Sequence, residues 1–244
     1  MPDKTPIIDE FDLQPGRKIA NKYIITELLG KGWEGEVYKI VEISTGIERA
    51  AKFFYPQRNI NNKTSKRYAK QLHKLRHCPI IIHYHTEEIF TFRRTPVTIL
   101  ISEYVQGILL SEFIKQQRGK RISAFQALHC LYALVKGLEQ IHMHNEYHGD
   151  LHDENIIVSR YGLGFELKLL DSLYWPDSKR SNVQEDLINS IYILYTLIGG
   201  QKHYKNQPKV VKDICCGLKR SLILKKFRNT SQLRKHLETL SWEE

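Results

Sequence analysis

The sequence has 244 residues, of which 41% are hydrophobic and 26% are charged, with 14 glycines and 8 prolines. This composition excludes an intrinsically disordered chain and a fibrous protein, and the length predicts one large globular domain or two small ones. The excess of 37 Lys and Arg over 27 Asp and Glu gives a net charge of +10, which favours anionic partners without choosing among them.

Hydrophobic periodicity predicts a small sheet followed by a mainly helical region. Residues 1–22 mix prolines, Gly16 and charges, and predict an arm before the fold. Strand-like segments separated by turns are then predicted at 23–29, 37–43, 48–54, 80–92 and 96–104. Apolar stripes predict helices at 63–77, 124–142, 189–197 and 231–240, with a β-rich interval at 154–170. We therefore expect an α+β chain with a sheet lobe at 23–102 and a larger helical lobe at 103–244.

The sequence predicts neither a secretory signal nor a transmembrane segment. Residues 1–10 lack a basic segment followed by an apolar run, and no stretch approaches the roughly 18 uncharged apolar residues of a membrane helix. The four cysteines form no C-x-x-C pair and predict reduced, mostly buried thiols. We expect a cytoplasmic protein.

A glycine-rich segment separates the first two predicted strands. It consists of Gly30, Lys31, Gly32, Trp33, Glu34, Gly35, Glu36 and Val37. The glycines would let a hairpin turn lie flat over phosphates while backbone N–H groups point at anionic oxygens. A plain hairpin turn is the alternative, and the strand that follows argues against a dinucleotide-binding turn, which would open a helix.

Lys52 lies in an apolar strand, 15 positions after Val37. A buried ammonium needs an acidic partner, and a phosphate is one natural partner. The alternative is a lysine that extends to solvent from a strand edge.

Three polar residues follow at a spacing suited to phosphoryl transfer. Asp150 and Asn155 lie five apart on a predicted loop before an apolar strand, and Asp171 comes 16 residues after Asn155. A carboxylate beside an acceptor hydroxyl, with an amide and a second carboxylate to hold Mg²⁺, is what this reaction requires. Each carboxylate alone is equally typical of a surface or capping residue.

Taken together and in this order, the motifs resemble those of the protein kinase family. The resemblance covers about residues 23–240, including a hinge-like segment at 101–107 and a helix-like segment at 186–200 that would anchor the catalytic loop. It implies a two-lobed kinase fold with ATP and Mg²⁺ as cofactors. The compact chain is similar to bacterial eukaryotic-like kinases, including ones secreted into host cells.

The resemblance also implies a nucleotide site. The implied contacts are Gly30, Lys31, Gly32, Trp33, Glu34, Gly35, Val37, Ala50, Lys52, Glu103, Val105 and Ile157. Adenine would lie between Val37, Ala50 and Ile157, with backbone groups of Glu103 and Val105 at the purine edge.

Four residues would carry the reaction. By the same resemblance, Lys52 would hold the α- and β-phosphates, Asn155 and Asp171 would bind Mg²⁺, and Asp150 would orient the attacking hydroxyl. Catalysis would then consist of positioning and charge neutralisation, without a covalent intermediate.

The chain departs from the family pattern at the helix after Lys52. The family has a glutamate there that pairs with the lysine, but residues 49–86 contain no acid, and Tyr68 stands near the expected position. Either Lys52 is held by another group, such as Asp171, Gln71 or an acid from outside this helix, or the site is only marginally active.

A second departure concerns regulation. Asp171 is followed by Ser172 and Leu173 where the family has Phe and Gly, and Gly149 replaces the arginine of phosphorylation-switched members. Only 15 positions separate Asp171 from Asp186, without an Ala-Pro-Glu. We expect a minimal kinase with a shortened activation segment that phosphorylation does not switch.

Two other functions remain open. His152, two residues after Asp150, replaces the common lysine, and the segment is also similar to small-molecule kinases of the aminoglycoside and choline type. The complete glycine motif and the short chain after Gly200 favour a protein substrate. The absence of an arginine before Asn155 favours Ser or Thr over Tyr as the acceptor. A pseudokinase scaffold without turnover is the third possibility.

The predicted helix at 63–77 is strongly basic. Its cations are Lys63, Lys66, Arg67, Lys70, Lys74 and Arg76. The ordinary interpretation is a solvated face. The functional one is a dock for an acidic protein or a phosphoinositide head group, whereas the lack of aromatic residues besides Tyr68 disfavours nucleic acid.

Overall fold

The computed structural model describes residues 7–162, 164–171 and 178–241. The chain divides into two compact units. The small unit comprises Met1–His77 and Ile82–Val105, and the large unit comprises Cys78–Ile81 and Gln106–Glu244. Among the described residues, every helix is too short or too polar to cross a lipid bilayer.

The small unit is an antiparallel sheet of six strands with one α-helix. In sheet order the strands are β1 (Lys18–Ile19), β2 (Tyr23–Lys31), β3 (Gly35–Glu42), β4 (Glu48–Phe54), β6 (Thr95–Glu103) and β5 (Tyr84–Phe92). Helix α1 (Lys63–Lys74) packs against β5 and β6. The five predicted strands and the helix are confirmed, although β5 begins at Tyr84 instead of residue 80. The residues before it pair elsewhere, since Ile81 forms a bridge with Leu169 within the large unit.

The segment predicted as an arm packs into the core of the small unit from Ile8 onward. Phe11, Leu13 and Ile19 are buried, and β1 pairs with β2. The Phe11 N–H donates to Oε1 of Glu36 at 3.0 Å. Glu36 is fully buried and also accepts hydrogen bonds from the hydroxyls of Tyr38 and Tyr55. Three donors to one carboxylate offset much of the cost of burying it.

The large unit is mainly helical and carries a small three-stranded sheet, ordered β7-β8-β9. Its strands are β7 (Ile108–Leu109), β8 (Ile156–Tyr161) and β9 (Gly164–Leu169). Its helices are α2 (Leu110–Gln116), α3 (Ala124–Met143), α4 (Lys179–Leu197), α5 (Gly200–Tyr204), α6 (Lys209–Cys215), α7 (Arg220–Lys226) and α8 (Thr230–Glu238). The four cysteines are free, and all but Cys216 are buried.

Helices α3 and α4 pack against each other and form the centre of the large unit. Helix α3 begins at a capping box in which the Ser123 hydroxyl and the Gln126 side chain satisfy each other's backbone N–H groups. Helix α4 begins ten residues earlier than predicted. Its first half buries the polar residues Asn182 and Asp186, so it lacks the apolar stripe that the prediction relied on.

Candidate active site

The glycine-rich segment is the turn between β2 and β3. Gly30 pairs with Val37, and the Gly32 N–H donates to the Gly35 carbonyl at 2.8 Å. A Cβ on Gly35 would lie 1.9 Å from the carbonyl oxygen of Phe53 on β4. The close approach of β4 therefore requires glycine at this position.

Strand register places three predicted nucleotide contacts on one face of the sheet. Val37 lies opposite Lys52, and Lys39 lies opposite Ala50. Because side chains alternate along a strand, Val37, Ala50 and Lys52 share a face. The intervening residues of β3 and β4, among them Phe53, point to the other face and are buried in the core.

The Lys52 ammonium is held by a carboxylate from the glycine-rich turn. Lys52 is 8% exposed, and its Nζ lies 2.8 Å from Oε2 of Glu34. The same Nζ lies 5.1 Å from the ring centroid of Tyr68 and 5.5 Å from that of Phe54. An acid from outside α1 thus contacts Lys52, as one of the three alternatives predicted. The position predicted for the missing glutamate presents an aromatic ring instead.

The other nucleotide contacts predicted in the small unit lie at the glycine-rich turn and at the end of β6. Trp33 is 68% exposed, with the Arg58 guanidinium 4.0 Å from its ring centroid, and Lys31 pairs with Glu10. At the end of β6, the Glu103 N–H donates to the His83 carbonyl at 2.9 Å. Val105 is partly exposed.

In the large unit, a buried carboxylate anchors the loop that carries Asp150. Asp186 on α4 is fully buried, and it accepts hydrogen bonds from the backbone N–H groups of His148 and Gly149 at 2.7 and 2.9 Å. Nε2 of His142 on α3 lies 3.1 Å from the same carboxylate. Bonds to a charged acceptor are stronger than neutral ones, so the loop is fixed to both central helices.

His148 connects this loop to the residue before Asp171. Its Nε2 donates to the Leu170 carbonyl at 2.7 Å, and its Nδ1 accepts the Asp150 N–H at 3.3 Å. Burial lowers the pKa of His148, although Asp186 and the Leu170 carbonyl oppose the shift. The neutral ring is the form that both bonds require, because one nitrogen donates and the other accepts.

Asp150 and Asn155 are in direct contact. Asn155 Nδ2 donates to the Asp150 carbonyl at 2.9 Å and to Asp150 Oδ2 at 3.0 Å. The Asp150 side chain keeps 35% of its surface exposed, and Nε2 of His152 lies 3.6 Å from its Oδ2. The arrangement presents an oriented, accessible carboxylate that can accept a proton.

Two further residues of the large unit belong to the predicted set. Ile157 lies on β8 and is partly buried. The residue before Asp171, Leu170, donates its N–H to the Asn155 carbonyl at 2.9 Å. Asp171 follows with a left-handed φ of 46°. Ser172 and Leu173, and with them much of the predicted shortened activation segment, lie outside the described residues.

Two partners in these networks do not follow from the sequence predictions. Neither the contact of Glu34 with Lys52 nor that of His142 with Asp186 was predicted. Two sequence features point to these contacts. One is an acid inside a glycine-rich turn that precedes the strand carrying the lysine. The other is a histidine near the end of the helix before the loop. The roles assigned to individual residues remain predictions.

The model of the protein kinase domain matches residues 23–213. The serine/threonine-protein kinase fray1 of Dictyostelium discoideum is 30% identical over 145 residues, which are 59% of this chain and 24% of that protein. Human death-associated protein kinase 2 is 29% identical over 175 residues, which are 69% of this chain and 45% of that protein. The chain therefore spans less than half the length of either relative.

Solved structures show the same fold. The kinase domain of Mycobacterium tuberculosis PknI superposes with a TM-score of 0.67 at 14% identity, covering 93% of this chain and 98% of that one. The antiparallel sheet of one unit and the helices of the other confirm the predicted kinase-like fold. With a family match over most of its length, the chain belongs to the protein kinase family.

Proposed function

We propose that the chain transfers the γ-phosphate of ATP to a hydroxyl side chain of a protein, in a reaction that depends on Mg²⁺. The observation that carries this proposal is the geometry at Asp150. Its carboxylate is accessible, is oriented by Asn155, and lies on a loop fixed by the buried Asp186. A carboxylate held in this way can accept the proton of an attacking hydroxyl.

The oxygen atoms of two residues fit a magnesium ion. Asn155 uses its amide nitrogen for Asp150, which leaves the amide oxygen as a ligand, and Asp171 supplies a carboxylate. Mg²⁺ prefers such oxygen ligands, and it would supply neutralisation of phosphate charge. In the small unit, Lys52 would hold phosphate oxygens, and the apolar side chains of Val37 and Ala50 on the same face would contact the base.

Serine or threonine is the proposed acceptor. Residues 151–154 contain no arginine, the feature that would indicate a tyrosine-directed loop. One relative is named as a serine/threonine-protein kinase. His152 takes the position of the common lysine and lies beside Asp150, where it would orient that carboxylate.

The test is a transfer assay with the purified chain, labelled ATP, Mg²⁺ and a general protein substrate. We expect label on serine and threonine, and far less on aminoglycosides or choline offered at equal concentration. Greater transfer to the small molecules would assign the chain to small-molecule kinases. An absence of transfer that is identical in the wild type and in Asp150→Ala would instead support a nucleotide-binding scaffold.

We also propose that phosphorylation does not switch the enzyme. Gly149 stands where switched members have an arginine, so the loop lacks a cation to bind a phosphorylated segment. Treatment with a broad-specificity phosphatase is expected to change kcat by less than about twofold. A loss of most activity, restored by autophosphorylation with ATP, would contradict this proposal.

A further inference from the structure

Helix α1 presents a continuous cationic face to solvent. We define this face by its five exposed cations, Lys63, Lys66, Arg67, Lys70 and Lys74. At 3.6 residues per turn they fall within an arc of about 100°. The buried residues Ser65, Tyr68 and Leu72 lie on the opposite side and pack into the small unit. The helix therefore separates its charge from its packing surface.

Carboxylates do not neutralise the centre of this face. Among the described residues, none forms an ion pair with Lys63, Lys66 or Lys70. Two other exposed lysines of the same unit pair with glutamates: Lys22 with Glu88 at 2.6 Å and Lys31 with Glu10 at 2.9 Å. Among the described residues, Lys18 of this unit is also exposed without an ion pair, so α1 is distinguished by the concentration of such lysines on one helical face.

The positions of the cations oppose helix stability. Lys63 and Lys66 stand in the first turn, where the helix dipole favours acids and disfavours cations. Lys63 and Lys66 are three residues apart and Lys66 and Lys70 are four apart, so like charges face one another. Local preferences are commonly broken where function requires it. An anionic partner would remove both unfavourable terms.

We propose that the cationic face binds an extended acidic segment of a protein partner. Lys63, Lys66 and Lys70 form a row with axial steps of about 4.5 and 6 Å. Alternate side chains of an extended peptide lie about 6.6 Å apart on one side, so carboxylates at every second position match the row. Compact ammonium groups on flexible stems suit such a sequence-tolerant contact.

Two other anionic partners fit less well. A membrane surface binds helices that insert an apolar face, whereas the apolar residues of α1 are buried in the protein. Single-stranded nucleic acid binds where aromatic side chains stack on bases, and Tyr68 is only 7% exposed. A line of cations one helix wide therefore favours an extended acidic chain.

The probe is a fluorescein-labelled peptide in which glutamate alternates with alanine, compared with the same peptide carrying glutamine. Binding to the full chain is measured by fluorescence anisotropy at low salt. The test variant is Lys63→Gln/Lys66→Gln/Lys70→Gln. The matched control, Lys202→Gln/Lys205→Gln/Lys209→Gln, removes three exposed charges from the large unit. Thermal melting verifies that both variants fold.

We expect the acidic peptide to bind the wild type, the glutamine peptide to bind negligibly, and the test variant to bind about tenfold or more weakly. Each exposed ion pair contributes about two- to fivefold in affinity, and added salt should weaken binding further. The control variant should stay within about twofold. Asp150→Ala should bind like the wild type, because this contact does not depend on catalysis.

An equal loss of peptide affinity in the test and control variants would overturn the proposal, because binding would then depend on net charge alone. Equal binding by the wild type and the test variant would overturn it as well. Vesicles with phosphatidylserine and a duplex RNA serve as competing probes. If either binds more tightly than the peptide and loses affinity in the test variant, the face belongs to that partner instead.

Discussion

Replacing Asp150 by asparagine is expected to lower kcat for phosphate transfer by about 10²- to 10⁴-fold, the usual contribution of a positioned general base. The substitution keeps the size of the side chain but removes its capacity to accept a proton as a carboxylate. Asn155 Nδ2, which donates to Oδ2 at 3.0 Å, would still find an amide oxygen in the variant. The loop should therefore keep its conformation.

The measurement compares kcat and the KM for ATP in the wild type, Asp150→Asn and a control, Glu154→Gln. Glu154 is an exposed acid on the same loop, and only its backbone N–H takes part in the His152 contact. The control should retain activity within about twofold, and the KM for ATP should change little in either variant. A kcat in Asp150→Asn within threefold of the wild type would remove Asp150 from the mechanism.

Much of the fold followed from periodicity. Strand β3 alternates buried with less buried residues, β4 ends in a continuous buried run, and α3 carries an apolar stripe, so local patterns were sufficient there. The pattern failed where tertiary contacts determine burial. Asp186 is fully buried in the first half of α4 because backbone N–H groups of another segment satisfy it, and a polar residue gives no apolar signal.

Spacing predicted the loop that carries Asp150 and Asn155 better than it predicted the surroundings of Lys52. Asp150 and Asn155 lie close in sequence, so a short loop can bring them into contact. Glu34 and Lys52 are 18 residues apart and meet only through the register of β3 and β4 and the shape of the glycine-rich turn. No local pattern encodes that register, which depends on how the whole sheet packs.

The second large effect concerns Glu34, which we propose orients Lys52 in place of the missing acid of α1. Its carboxylate lies 2.8 Å from Nζ, and both side chains are largely buried, at 15% and 10% exposed. Glu34→Gln is expected to lower kcat/KM about 10- to 100-fold, the range for losing a hydrogen bond between charged groups. Steady-state kinetics with varied ATP measures the effect, with Glu10→Gln as the control.

Glu10 is a suitable control because it pairs with Lys31 of the same turn at 2.9 Å, but it is 60% exposed. Exposed pairs contribute little, so Glu10→Gln should leave kcat/KM within about twofold. The two variants make the same chemical change on the small unit. A difference between them therefore reports the contact with Lys52.

A double variant distinguishes a Glu34 that orients Lys52 from a Glu34 that competes with phosphates for the Lys52 ammonium. The Tyr68 ring centroid lies 5.1 Å from Lys52 Nζ, and Tyr68 stands near the position predicted for the family's glutamate. If Glu34 orients the lysine, then adding Tyr68→Glu to Glu34→Gln should restore much of kcat, while adding Tyr68→Gln should not. If Glu34 instead competes with phosphates for the ammonium, Glu34→Gln alone would bind nucleotide more tightly with kcat unchanged. That result would contradict the proposed role. A carboxylate that orients Lys52 for catalysis must stabilise the transition state, so its loss must lower kcat.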